Sequence, residues 1–208
     1  MADKKIAIMI VEDHPVFRDG LEMIIDGQSD MALVAQAATA AEALEKYRQF
    51  RPDVSLMDQR LPGESGTHAL ISIRAEFPDA RVIMLTTSSG DVEIQRALNA
   101  GAAAYLLKIS SRHELLQAIR NVAAGRRHIP VDVAVRLAEN LGRETLSPRE
   151  LQVLELIREG HKNKRIAGRL CIAETTVNFH IKNIVEKLQA KDRTHAVAIA
   201  FRRGLLQV

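Results

Sequence analysis

The sequence predicts an α/β protein: a five-stranded, parallel, doubly wound sheet followed by a small all-helical domain. Three observations carry this. Residues 1–123 alternate short apolar segments with amphipathic helical patterns five times over, and residues 144–208 keep helical spacing throughout. Charge divides along the same line. Residues 1–123 carry 13 Lys+Arg against 17 Asp+Glu, a net of −4, whereas residues 144–208 carry 12 against 7, a net of +5. Short apolar strands between amphipathic helices are the signature of a parallel sheet covered on both faces.

Taken in order, residues 6–11 are an apolar run closed by Glu12 and Asp13, and residues 16–28 carry Val16, Phe17, Leu21, Ile24 and Ile25 at helical spacing. A short apolar stretch at 31–35 precedes a helix at 39–50, where Thr39 and Glu42 form a capping box. Strands follow at 53–57, 81–85 and 103–107, and helices at 66–77, 91–100 and 111–124. Gly101 and Gly125 stop two of these helices, and Ser111 with Glu114 repeats the capping box. Residues 125–143 break the pattern with Gly125, Arg126, Arg127 and Pro130 and read as a linker, partly helical at about 132–140. The remainder holds four helices. The first opens on Ser147-Pro148-Arg149-Glu150, with Ser as cap, Pro at the first helical position and Glu three residues after the cap. The others span about 163–170, 174–188 and 193–203, and tight links between short helices suggest a helix-turn-helix. The expected domains are therefore 1–124, a linker at 125–143, and 144–208.

With 47% hydrophobic residues the chain can bury a real core, and no apolar run is long enough for a membrane span. The N-terminus lacks the pattern of a signal peptide, and the single cysteine, Cys171, has no partner for an intrachain disulfide. A cytoplasmic protein with no membrane partner is expected. Cys171 is read as a small buried apolar residue. The seven histidines are scattered without metal-ligand spacing.

Functional groups of open parallel sheets gather at the carboxyl ends of the strands. Here the first strand ends in Glu12-Asp13, the third in Asp58, the fourth in Thr86 and the fifth in Lys108. One acidic residue at a strand end is usually a helix cap or a solvated side chain. Three carboxylates, a hydroxyl and an ammonium on one edge are harder to dismiss. Clustered carboxylates with no His or Cys nearby suit a hard cation taking oxygen ligands, hence Mg²⁺. A carboxylate in that setting can act as a nucleophile toward phosphorus, with the Lys offsetting charge on the transferring group.

In the helix at 174–188, Val177, Ile181, Ile184, Val185 and Leu188 form an apolar stripe, while Thr175, Phe179, Lys182 and Glu186 lie opposite with Asn178 flanking. Because the core stripe is complete without it, Phe179 is expected to face outward. An outward Phe beside Lys and Asn suits the DNA major groove, where apolar groups meet a thymine methyl and Asn pairs with adenine. Packing of Phe179 on the first domain or on another protomer remains the alternative. Lys162, Asn163 and Lys164 open the preceding helix, a position suited to phosphate contacts.

Val11-Glu12-Asp13-His14-Pro15, Leu56-Met57-Asp58-Gln59-Arg60-Leu61-Pro62-Gly63, Leu85-Thr86-Thr87 and Gly101-Ala102 with Tyr105-Leu106-Leu107-Lys108 resemble the receiver domain of NarL/FixJ-type bacterial response regulators. That resemblance implies a flavodoxin-like sheet in the order 2-1-3-4-5. It implies Asp58 as phosphoacceptor; Glu12, Asp13, Asp58 and the backbone carbonyl of Arg60 as Mg²⁺ ligands; Thr86 and Lys108 on the phosphate; and Tyr105 as an aromatic switch. Ile109 stands where many receivers have Pro. Residues 146–206 resemble the LuxR-type helix-turn-helix through Leu146-Ser147-Pro148-Arg149-Glu150, Val153-Leu154, Gly160, Asn163-Lys164, Ile166-Ala167, Leu170, Thr176-Val177, His180, Ile184, Lys187-Leu188 and Arg193-Thr194-His195-Ala196-Val197. By that likeness Asn178, Phe179 and Lys182 hold base-reading positions, with Thr175 and Thr176 beside them. The family often has a cation where Asn178 stands, and Ser where Lys162 and Ala173 stand.

The expected protein is thus a two-component response regulator and not an enzyme. Its partners would be a sensor histidine kinase, double-stranded promoter DNA with two half-sites, and a second copy of itself. Val197, Ala200 and Phe201 of the last helix are the expected dimer surface of the output domain. Three rivals stay open: a small Asp-nucleophile phosphatase, opposed by Arg60 where a second Asp is needed; a ligand-gated regulator, which leaves the strand-end carboxylates unexplained; and a receiver that binds DNA without phosphorylation.

Overall fold

The computed structural model describes residues 5–87, 90–139 and 145–206. Among the described residues five strands and ten helices follow in order: β1 (Ile6–Val11), α1 (Pro15–Asp26), β2 (Met31–Ala37), α2 (Ala40–Phe50), β3 (Val54–Asp58), α3 (Gly66–Glu76), β4 (Val82–Thr86), α4 (Asp91–Asn99), β5 (Ala104–Leu107), α5 (Arg112–Ala123), α6 (Val131–Glu139), α7 (Pro148–Arg158), α8 (Asn163–Leu170), α9 (Glu174–Lys187) and α10 (Arg193–Arg202). The chain forms two compact units.

The first unit is built on a five-stranded sheet in the order β2-β1-β3-β4-β5, with every pairing parallel. Parallel neighbours need a crossover, and each βα repeat supplies one. Side chains alternate between the faces of a strand, so both faces are apolar. On one, Ile8, Ile10, Leu56, Ile83, Leu85, Ala104 and Leu106 meet Leu21 and Ile25 of α1 and Leu115, Ile119 and Val122 of α5. The alternate residues Met9, Met57, Met84 and Tyr105 are completely buried as well. The predicted caps Thr39 and Ser111, and Ser65 as well, each accept a hydrogen bond from the backbone N–H three residues on. β2 runs two residues beyond its predicted end, to Ala37, which pairs with Val11 after the register shifts between Ile8 and Met9.

The expected linker begins as part of this unit. His128 donates its backbone N–H to the Ala103 carbonyl at 3.0 Å and bridges to Ala104, and Val133 of α6 is buried. The first unit continues to Val135, partway along α6. The boundary expected at 143/144 lies outside the described residues.

The second unit packs α7–α10 around Val153, Leu154, Ile157, Ile166, Val177, Ile184, Leu188, Ala196 and Ala200. Its first helix opens on a complete capping box: Ser147 Oγ accepts from the Glu150 N–H at 3.3 Å, and Glu150 Oε2 accepts from the Ser147 N–H at 2.7 Å. Two expectations are corrected here. Ala200 is fully buried, so it belongs to the unit's core and not to the expected dimer surface, whereas Val197 and Phe201 pack against that core and stay half-buried. Cys171 is exposed, because it terminates α8 in the left-handed region at φ 52° and its side chain turns outward.

Candidate functional site

The strand ends of the first unit bring Glu12, Asp13, Asp58, Thr86 and Lys108 to one edge of the sheet. Asp58 closes β3 and Thr86 closes β4, at 2% and 1% exposure. Lys108 follows β5 and is tied to β4 by its backbone N–H, which donates to the Thr86 carbonyl at 2.7 Å. Its ammonium lies 2.8 Å from Asp58 Oδ2 and 2.7 Å from Glu12 Oε2, a bridge between two buried carboxylates. The ring of Phe17, its centroid 4.7 Å from the ammonium, covers another side. Burial raises the Asp58 carboxyl above its ordinary value, Lys108 opposes that shift and the charge of Glu12 adds to it. Burial alone would lower Lys108, but the bonds to Asp58 and Glu12 outweigh it and hold the ammonium above its usual range.

The backbone after β3 completes the cradle. The Arg60 N–H donates to Asp58 Oδ1 at 3.2 Å, and the Arg60 side chain is exposed. Gly63, in the loop between, sits at φ +81°, a conformation that favours glycine. Gly66 opens α3 directly against β3. A Cβ there would stand 1.9 Å from the Asp58 carbonyl oxygen, so only glycine lets the helix approach the acceptor strand this closely. Sequence reading passed over this residue, although a glycine at the first turn of a helix is a signal in itself, being a poor helix former. Tyr105 of β5 is wholly buried, opposite Met84.

One expectation about the edge needs correction. No histidine was expected near the carboxylates, but His14, the residue after Asp13, is held among them by the turn after β1. Its Nδ1 lies 2.9 Å from Glu12 Oε1 and 3.0 Å from Asp13 Oδ1. The hydrogen bond to Glu12, aided by the charges of Asp13 and Glu12, raises the His14 pKa. Glu12, Asp13, His14 and Asp58 each offer a ligand atom, and these atoms lie within 4.8 Å of one another. Three carboxylates in such a group fit a hard divalent cation such as Mg²⁺, with Asp13 the least buried of the three. The imidazole is an extra nitrogen donor that hard cations do not require.

In the second unit α9 divides as its spacing predicts. Val177, Ile184 and Leu188 are buried and Ile181 and Val185 half-buried, whereas Thr175, Asn178, Phe179, Lys182 and Glu186 are exposed and Thr176 is half-buried. Phe179 is 61% exposed. Lys162 and Lys164 are exposed at the start of α8, and Asn163 is half-buried between them. Both ends of the Asn163 amide are engaged: Nδ2 donates to Asn178 Oδ1 at 2.6 Å, and Oδ1 accepts from Arg193 Nη1 at 3.2 Å. Its geometry is that of a strut between α8, α9 and α10. Arg193 was not among the residues singled out from sequence for contact with DNA. At the far end of α9, Lys187 Nζ lies 2.9 Å from Glu150 Oε2, tying α9 to the cap of α7.

Comparison with known proteins matches both units. Residues 8–120 match the family model described as response regulator receiver domain, and residues 144–200 match that of bacterial regulatory proteins, luxR family. The response regulator protein VraR of Staphylococcus aureus (strain NCTC 8325 / PS 47) is 34% identical over 207 residues, covering 97% of this chain and 99% of VraR. A crystal structure of a LuxR-family two-component response regulator from Aurantimonas sp. SI85-9A1 is 39% identical with a TM-score of 0.63, covering 66% of this chain and 98% of that one. The response regulator ChrA of a heme-sensing two-component system is 32% identical with a TM-score of 0.59, covering 97% and 99% of the two chains. Among the described residues no helix is long and apolar enough to cross a membrane.

Proposed function

The chain belongs to the response regulators that join a receiver domain to a LuxR-type DNA-binding domain, and from that membership we propose that it accepts a phosphoryl group on Asp58 from a sensor histidine kinase and thereby controls transcription through sequence-specific binding as a dimer. The observation that carries this reading is the buried bridge of Asp58, Lys108 and Glu12 at the carboxyl edge of the sheet. A purely structural carboxylate has no need of a lysine, a second buried carboxylate and a glycine-cleared backbone at one point.

The chemistry follows from the groups present. An Asp58 carboxylate oxygen attacks the donor phosphorus, a P–O bond forms, and the P–N bond of the phosphohistidine breaks with its electron pair returning to the imidazole. Lys108 stands 2.8 Å from Asp58 Oδ2, placed to offset charge on the transferred group. Glu12, Asp13, Asp58 and the Arg60 carbonyl would hold Mg²⁺, which supplies further charge neutralisation at the same point. Thr86 at the end of β4 donates its hydroxyl to the acylphosphate, and Tyr105, opposite Met84 on the neighbouring β5, is the side chain whose packing changes with that movement. Burial of both makes the alternative arrangement discrete and not graded. In the second unit α9 enters the major groove with Asn178, Phe179 and Lys182 toward the bases and Thr175 and Thr176 alongside. Lys162 and Lys164 contact phosphates.

The test incubates the full chain and Asp58→Ala with Mg²⁺ and a small acyl phosphate, then measures intact mass, sedimentation and binding to a randomised duplex library. Wild type is expected to gain one phosphate-sized mass, dimerise and bind DNA more tightly, and the variant to do none of these. Absence of the mass gain sinks the receiver role. Mass gain with unchanged sedimentation and DNA binding sinks the switch.

A further inference from the structure

A carboxamide that reads DNA can present either of two ends to a base. Its oxygen accepts a hydrogen bond and its nitrogen donates two. On α9 the choice for Asn178 is made by a relay of side chains that begins on α10. The guanidinium of Arg193 has donors only. Its Nη2 donates to the His161 carbonyl at 3.1 Å and its Nη1 to Asn163 Oδ1 at 3.2 Å. An amide nitrogen cannot occupy the position that accepts from Arg193, so the Asn163 amide has one orientation, with Nδ2 directed at α9. That Nδ2 donates to Asn178 Oδ1 at 2.6 Å. Asn178 is thereby oriented in turn: its oxygen faces Asn163, and its Nδ2 is the end turned away, on the exposed side of the helix.

We infer that Asn178 reads DNA as a hydrogen-bond donor, selecting guanine at its contact, with Asn163 and Arg193 as the positioning residues that set this polarity. The inference rests on the reading that α9 enters the major groove. The base edges decide the rest. Guanine shows two acceptors, N7 and O6, which one NH₂ group can bridge, and thymine shows one, O4. Adenine pairs with a carboxamide through both its ends, donating from N6 to the oxygen; here the oxygen is directed at Asn163 on α8, so the two ends do not face one base edge together. Cytosine presents only the N4 donor to the groove and is disfavoured. The adenine pairing that side-chain type alone suggests is thus replaced by guanine.

The experiment selects sites from a randomised duplex library with the full chain at fixed salt, using wild type, Asn178→Ala, Asn163→Ala and Asn163→Asp. Asn178→Ala identifies the column that Asn178 reads. In wild type that column is expected to favour G over A by about tenfold. Asn163→Ala releases the carboxamide, and the ratio in that column falls toward one while other columns hold. Asn163→Asp inverts the relay. One oxygen of the introduced carboxylate accepts from Arg193, the other can only accept from Asn178 Nδ2, and Asn178 turns its oxygen to the groove. The column then shifts to the donor edges of A and C, an inversion that a merely structural role for position 163 does not produce. Circular dichroism of each variant confirms folding, and the Asn163→Ala ratio decides the matter should the charged variant fail to fold. An A preference in wild type, retention of G in both Asn163 variants, or no column altered by Asn178→Ala overturns the inference. The reading of α9 as the DNA-contacting helix falls only if wild type enriches no motif, or if neither Phe179→Ala nor Lys182→Ala changes binding.

Discussion

Replacing Lys108 with methionine removes the ammonium and leaves Glu12 and Asp58 facing each other, at 0% and 3% side-chain exposure. Stranding a buried charge by deleting its partner costs about 3–5 kcal/mol. The site limits that cost, because one carboxyl can escape it by taking up a proton. At pH 7, about 3 units above ordinary carboxyl values, protonation costs about 4 kcal/mol at 1.36 kcal/mol per unit. The expected loss is therefore about 3–4 kcal/mol, a fall of roughly 10–15 °C in the melting transition of a domain this size. Calorimetry of the full chain in chelator-treated buffer measures it, with the receiver transition identified as the one that Mg²⁺ raises. The sign with pH follows from the same reasoning. The carboxyl forced to protonate has a folded pKa above its unfolded value, so the penalty is full at pH 8, shrinks as pH falls, and is small near pH 4–5. Mg²⁺ should recover part of the loss by binding only the folded form. A variant within about 1 kcal/mol of wild type at pH 8, or a deficit independent of pH, would refute the picture of Lys108 as the cation that holds two buried carboxylates together.

Four further outcomes follow from other parts of the molecule. Gly66→Ala places a Cβ 1.9 Å from the Asp58 carbonyl oxygen. Thermal unfolding should show a loss of about 1–3 kcal/mol, and mass spectrometry a slower phosphate uptake as α3 is pushed off β3. Burial alone would raise the Glu150 carboxyl, but Lys187 and Ser147 hold it below its ordinary value. Its contribution is thus present above pH ~4.3 and lost as pH falls through the lower folded value. Glu150→Gln should destabilise the helical unit by about 1 kcal/mol at neutral pH and narrow its distance from wild type in acid, as read by circular dichroism. Lys182→Ala should reduce the slope of log binding constant against log salt by about 1 if it contacts a phosphate and leave it nearly unchanged if it reads a base. Phe179→Ala should alter base preference with little change in slope.

Much of the receiver edge was legible because strand ends are one-dimensional facts. In a doubly wound parallel sheet every carboxyl end falls on the same edge, so the positions of Glu12, Asp58, Thr86 and Lys108 in the chain already place them together. The face of α9 was legible for a similar reason. A period of 3.6 residues assigns Val177, Ile184 and Leu188 inward and Phe179 outward before any contact is known.

Tertiary structure decided what depends on distances between elements that sequence does not relate. His14 is next to Asp13 in the chain, but its ring meets Glu12 and Asp13 only because the turn after β1 folds it back. Gly66 matters only because α3 returns to the end of β3. Ala200 looked available on a helical wheel, but it is taken up by the core of the four-helix unit, while Phe201 packs against that core half-buried. The polarity of Asn178 is invisible to the wheel, because it is set by a hydrogen-bond relay joining residues 163, 178 and 193. Periodicity fixes which side of an element a residue occupies. What the residue meets there, and which of its atoms are already engaged, is settled by the packing of the elements against one another.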